Sequence, residues 1–274
     1  MRQNGDVRAA IRSNSTVRKF TVLVLLAGAM MTLATFGRAA AASSGCGSET
    51  FGQGRVASII DARTLRLDDG REVRLSGIEP IANTATGVAE LSRLVVGRQV
   101  TLHGKSDEPD RYGRQHAFVF LPDADKSVQG LLLDAGAALA SGTVPDRACT
   151  LELATSETVA RRAGRGVWDH PGVIKNAESS GDILARLGQF TLVEGKVVSA
   201  RLAGSTFYVN FGRRWTRDFA VIIPRQMLGL LERDGIDPKS LASRKVRVRG
   251  WVEQRGGPRI EIFGAGQIEI ISEP

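Results

Sequence analysis

From residue 54 onward, apolar and polar positions alternate in short runs separated by Gly- and Asp-containing turns. That pattern is the mark of short, half-buried strands. Residues 56–60, 64–67 and 72–78 read as strands, with a turn at Asp68-Asp69-Gly70. The period then changes. Val88, Leu91, Leu94 and Val95 fall on one helical face, and Gly97 is placed to stop that helix. Residues 99–103 and 115–120 predict two more strands, and 128–135 and 151–163 predict helices, the second ending at Gly164. Five strands with a helix between the third and fourth predict a small barrel of the OB type.

Residues 171–181 are polar and rich in Gly, Ser and Pro, the best candidate for a linker. Beyond it the pattern restarts: strand-like runs at 190–200, 206–211 and 219–223, a helical run at 226–233, then strand-like runs at 246–253, 259–263 and 267–271. The expected fold class is mainly β with helices: a first barrel over 49–170 and a second, OB-like one over 182–274.

The N-terminal 41 residues stand apart from this pattern. Five basic residues from Arg2 to Lys19 precede the uncharged stretch 20–36, and Ala39-Ala40-Ala41-Ala42-Ser43 follows. A basic region, an apolar region and a small-residue site form a secretory signal. Segment 1–41 is therefore expected to be a signal peptide, with an uncleaved anchor as the alternative. Export implies a periplasmic or secreted protein with no stable membrane insertion after cleavage. It also places Cys46 and Cys149 in an oxidising compartment, where a lone pair tends to close. Two free thiols, or a lipidated Cys46, remain open as alternatives.

Composition narrows the chemistry. Two cysteines and three histidines leave too few soft ligands for a Cys/His zinc domain. The net charge of +8 is uneven, since residues 1–41 carry six basic residues and one acidic one. Residues 49–170 hold 15 basic and 17 acidic residues, and 182–274 hold 15 and 10. Any polyanion-facing surface is thus expected on the second unit.

Three segments carry a resemblance. They are Ile60-Asp61-Ala62-Arg63-Thr64-Leu65, Arg74-Leu75-Ser76-Gly77-Ile78-Glu79-Pro80 and Asp110-Arg111-Tyr112-Gly113-Arg114. In order and spacing, from about residue 55 to 168, the chain resembles the staphylococcal-nuclease-like (thermonuclease) family. The resemblance implies an OB-fold domain and calcium-dependent phosphodiester hydrolysis. It implies candidate catalytic roles for Arg74, Arg114 and Glu79, with Glu79 also a metal ligand. Such chemistry needs hard oxygen ligands, a carboxylate to activate water, and guanidinium forks on the phosphorane.

The chain departs from the family pattern at three places. Arg63 falls where a second metal-ligating carboxylate is expected, and Ala82 falls where the water-activating Glu is expected. The base-stacking tyrosine aligns near Gly142. A cation at a cation site repels the ion it replaces. Asp61 is the other weak metal candidate, read first as a turn residue. Arg74 and Arg114 read either as a retained phosphate clamp or as structural arginines, and Tyr112 as a turn or core aromatic ahead of a stacking platform.

In the second unit Phe207, Tyr208, Phe211, Trp215, Phe219 and Trp251 interleave with arginines, most densely at Arg213, Arg214, Trp215 and Arg217. Aromatics beside guanidinium groups suit single-stranded nucleic acid; simple alternation of core and solvated residues is the competing account. The sequence supports a nucleic-acid or other polyanion-binding module with hydrolysis weakened or lost. An active endonuclease rebuilt around Asp61, Asp68 or Asp69 with Glu79, or a protein-binding scaffold of the cell envelope, stands as an alternative. No cofactor is demanded, and calcium enters only if the site is active. Oligomeric state is not legible.

Overall fold

A computed structural model describes residues 45–47, 49–81 and 85–271. The expected signal peptide and Ala82 lie outside them. The first unit is built from β1 (Thr50–Asp61), β2 (Thr64–Leu67), β3 (Glu72–Leu75), β4 (Ile78–Pro80), α1 (Ala85–Val95), β5 (Gln99–His103), β6 (Arg114–Phe120), α2 (Val128–Asp134), β7 (Ala138–Ala140) and α3 (Arg147–Arg162). Alternation along the strands turns Val56, Leu65, Leu67, Val73, Leu75, Val100, Leu102, Ala117 and Val119 into one core. From α1, Leu91, Leu94 and Val95 pack into the same core, and Gly97, at φ +75°, ends that helix as expected.

The strands close on themselves in the order β1-β2-β3-β6-β5. The long β1 makes this possible. Its first half, Thr50 to Arg55, pairs antiparallel with β5, and its second half, Val56 to Asp61, pairs antiparallel with β2. Register shifts near Val56 and Ile59 let the strand bend between its partners. The ring is completed by the parallel pairing of β3 with β6. The run 72–78, expected to be one strand, is two. Gly77 sits at φ +78°, and a Cβ there would approach Leu153 Cδ1 to 2.6 Å, so the chain turns and β4 leaves the ring to pair with β7.

The second unit contains β8 (Ile174–Asn176), α4 (Ser180–Leu184), β9 (Phe190–Lys196), β10 (Ser199–Ala203), β11 (Thr206–Asn210), β12 (Ala220–Pro224), α5 (Leu228–Arg233), β13 (Lys245–Arg255), β14 (Gly257–Glu261) and β15 (Ile268–Ile270). Its pairing runs β10-β11-β12-β14-β13-β9, with β8 beside β9 and β15 beside β13. The path repeats that of the first ring: β12 and β14 are parallel, like β3 and β6, and the other neighbours on it are antiparallel. The run 190–200, expected to be one strand, is interrupted at Val197-Val198, where backbone N–H groups donate to Arg244 and Asn210 instead of a ladder partner. β9 and β10 thus divide the task that β1 performs alone. Within 171–181, the stretch read as a linker, β8 joins the sheet in parallel with β9, and Ala177 is buried.

Both sheets lie within one compact unit. They meet along α3 and the segment after β7. A Cβ at Gly142 would overlap the Gly266 carbonyl, so the two backbones touch directly. Arg249 of β13 reaches across to Glu157 of α3 and to the carbonyl of Ala140. Cys46 and Cys149 are bridged, with a Cα–Cα distance of 4.5 Å, which resolves the alternatives in favour of the disulfide. No helix among the described residues is long and apolar enough to cross a membrane.

Candidate functional site

A cleft of about 520 Å³ opens where β3 gives way to β4. Arg63, Arg74, Glu79, Lys105, Glu108 and His116 line it, and the Cys46–Cys149 bridge forms part of its wall. Strand register explains the assembly. Arg74 on β3 is paired with Thr64 on β2 and with His116 on β6, so these three share one row. Arg63 comes from the β1–β2 turn and Glu79 from β4.

The turn at Asp61 is self-contained. Its Oδ1 accepts from the Arg63 N–H at 2.8 Å, and its Oδ2 accepts from the Thr64 hydroxyl at 3.0 Å. That is the Asx turn expected of an Asp at this position. Arg74 donates to Thr64 Oγ1 at 3.3 Å and stands 3.9 Å from Asp61. Burial lowers the Arg74 pKa from its usual value, and the nearby Arg63 and Arg114 lower it further. Two guanidinium groups, those of Arg63 and Arg74, thus line one edge of the cleft, with Arg114 near enough to be felt from outside the lining.

Arg63 determines what this edge can bind. Its Nη1 lies 2.5 Å from Glu79 Oε2 and donates to the Ile78 carbonyl at 3.0 Å. Burial pushes the Glu79 pKa up, partly offset by Arg63 and Arg74. Calcium requires six to eight oxygens, mostly from carboxylates and carbonyls. Here Glu79 is engaged by a guanidinium, Asp61 is committed to its turn, and no group of three or more His, Cys, Asp or Glu that could hold a metal occurs among the described residues. Asp69 binds Arg71 at the β2–β3 turn, and neither it nor Asp68 lines the cleft. The residues present do not fit a calcium ion.

Arg114 stands apart from the cleft lining. Asp110 grips it through Nε and Nη2 at 3.1 and 2.8 Å and also accepts from the backbone N–H of Arg114 and Tyr112. These bonds hold the Asp110 carboxyl well below the usual carboxylate range and raise the Arg114 pKa, each mainly through the hydrogen bond between the two side chains. Tyr112 is a turn residue but not a core one: it is 63% exposed, with the Arg111 and Arg114 guanidinium carbons 4.8 and 4.9 Å from its ring centre. Gly142, aligned with a stacking tyrosine, has no room for any side chain.

On the second unit, Arg213, Arg214, Trp215 and Arg217 are all exposed on the loop between β11 and β12. Trp215 is 74% exposed and is not part of the core, whereas Phe207, Phe211 and Phe219 are buried. Trp215 leans over a groove that the three loop arginines do not line. Sequence reasoning missed His116 and Lys105 in the first cleft and Arg201, Arg255 and Arg259 beside Trp215. For His116 the available signal was its position two residues beyond Arg114 on a strand.

Residues 72–170 match the model of the family described as staphylococcal nuclease homologue. The match includes Arg74, Glu79 and Arg114 and begins after Asp61 and Arg63. No curated protein matches the chain.

Proposed function

Residues 72–170 form a staphylococcal-nuclease-like domain, and on that footing we propose that the chain is a nucleic-acid or polyanion-binding module with calcium-dependent hydrolysis weakened or lost. The observation that carries this reading is the 2.5 Å contact between Arg63 and Glu79. A guanidinium beside the carboxylate supplies the positive charge that a divalent ion otherwise brings, but it cannot bind and acidify a water molecule. Arg74 keeps a phosphate-directed position in the cleft, so binding an anion there requires no metal. At the sequence level Ala82 adds the loss of the base.

The same reading takes the first ring as an OB-type barrel and the second sheet as a second, OB-like unit, supported by their common pairing order. It assigns Arg213, Arg214, Trp215 and Arg217 to nucleic-acid contact. It places the chain outside the cytosol, with the Cys46–Cys149 bridge in support.

The deciding experiment is digestion of single- and double-stranded DNA and of RNA, with calcium and with chelator. The expected result is the same negligible cleavage in both conditions. Robust calcium-dependent turnover, abolished in Arg74→Ala, would reinstate the endonuclease.

A further inference from the structure

We propose that the outer face of the second sheet is a binding groove for single-stranded nucleic acid, with bases stacking on Trp215 and Tyr208 and phosphates held by Arg201 and Arg255. The proposal rests on the nucleic-acid reading above and gives it a location away from the cleft.

The groove has a volume of about 480 Å³, within the range that holds a small ligand or one nucleotide unit. The strand register builds it. Phe207 and Val209 of β11 point into the core, so Tyr208 and Asn210 lie on the opposite face, Tyr208 half-buried and Asn210 buried with its amide donating to Ser199 Oγ. Arg201 of β10 is directly opposite Tyr208, and Ile222 of β12 lies on its other side. The next row runs from Asn210 through Ala220 to Arg259. Ala220 is the small residue in the middle of this face, and the floor is therefore open.

The loop from 211 to 219 closes one end. Asp218 Oδ2 accepts from the Arg214 N–H at 2.7 Å, and Arg217 and Asp218 both donate to the Arg214 carbonyl at 2.8 Å. This turn packs on the β13–β14 hairpin. A Cβ at Gly257 would stand 2.6 Å from the Asp218 carbonyl oxygen, so only glycine allows the approach. Trp215 is therefore presented to solvent from a braced turn, not from a loose one.

Charge selects the occupant. Arg259 is paired with Glu253 at 2.8 Å, and Asp218 is used by its turn. Arg201 and Arg255 have no ion pair or hydrogen bond from their guanidinium groups among the described residues, nor do Arg213, Arg214 and Arg217 on the adjoining loop. Unneutralised guanidinium groups around the exposed Trp215 ring and the half-buried Tyr208 ring match a chain of alternating phosphates and bases. An acidic peptide would satisfy the arginines and leave both rings without a partner.

The test is titration of the full chain with an oligodeoxythymidine at about 50 mM salt, read by tryptophan fluorescence and by anisotropy of a labelled oligonucleotide. Quenching on binding is expected, absent in Trp215→Ala, with affinity about tenfold lower in that variant and restored by Trp215→Phe. Arg201→Glu should also weaken binding and lower the salt slope by about 0.7. Both side chains are exposed, and unchanged thermal melting would confirm that the variants fold. Binding that survives Trp215→Ala and Arg201→Glu but is lost in Arg74→Ala would overturn the groove and leave the nucleic-acid reading standing. No binding at all would overturn both. Equal competition by polyglutamate at matched charge would overturn recognition of bases.

Discussion

Arg249 of β13 and Glu157 of α3 stand 2.8 Å apart with side chains only 5% and 1% exposed. Together they satisfy both backbone groups of Ala140: its N–H donates to Glu157 Oε1 at 2.9 Å, and its carbonyl accepts from Arg249 Nη1 at 2.9 Å. Ala140 pairs with Ile78, next to Glu79. A single buried ion pair therefore ties the second sheet to the strand that carries the cleft carboxylate.

Removing one member of that pair strands the other charge in a dry site. Glu157→Gln or Arg249→Met is expected to cost about 3–5 kcal/mol, and the double variant Glu157→Leu/Arg249→Met should recover only part of the loss, because the Ala140 N–H and carbonyl lose their partners. Urea unfolding followed by near- and far-ultraviolet circular dichroism checks this. A cost below about 1 kcal/mol would show that water reaches the pair.

Arg63→Asp should convert the cleft from a cation-excluding to a cation-accepting site. It frees Glu79 and adds a second carboxylate within reach of it. Calorimetric titration should show no calcium binding by the wild-type cleft and weak binding by the variant, with a dissociation constant of about 10⁻⁴–10⁻³ M. Cleavage should stay low, since Ala82 still offers no base. Equal calcium binding by both proteins would show that Arg63 moves aside readily.

Asp110 sets an acid limit. Its folded pKa lies below the unfolded one, so its stabilisation is present above about pH 4 and fades as pH falls toward the folded value. Asp110→Asn removes both the carboxylate and that fade. The stability gap between wild type and variant should be widest near neutral pH and shrink in acid. Urea melts at several pH values provide the comparison, and a gap independent of pH would assign the Asp110 contribution to its turn geometry alone.

Gly142 is held at φ +72° against the Gly266 backbone. Gly142→Ala is expected to cost more than the ordinary left-handed penalty of about 1–2 kcal/mol, because the second unit must also shift. Thermal unfolding measures the loss. A smaller loss would mean that the two backbones separate easily.

The sequence made local features plain where one residue type carries one physical role. Gly97 stops α1 because it alone tolerates its left-handed backbone, and the alternation at Phe207 and Val209 marked a buried face. Features that depend on distant partners were hidden. The split of 72–78 follows from Leu153 and Phe118 crowding Gly77, and nothing near Gly77 in the chain announces them. The strand at 174–176 forms because β9 offers it an edge, although its composition is that of a loop. At the site, the altered positions Arg63 and Gly142 could be named from the motif alone. That Arg63 binds Glu79, and that Gly142 is filled by another unit's backbone, required the fold. The groove beside Trp215 could not be read at all, because Arg201, Tyr208 and Arg255 are joined only by strand pairing.

The Cys46–Cys149 bridge spans 103 positions and encloses the whole ring, both cleft arginines and Glu79. The enclosed segment is in effect a covalent circle. A protease that cuts once within it, for instance in the exposed Ser106–Pro109 stretch before the Asp110 turn, makes two fragments that cannot diffuse apart. The severed ends stay held by the surrounding pairing, and the cleft keeps its residues on one molecule. On an electrophoretic gel the cut chain should run as one band without reductant and as two with it.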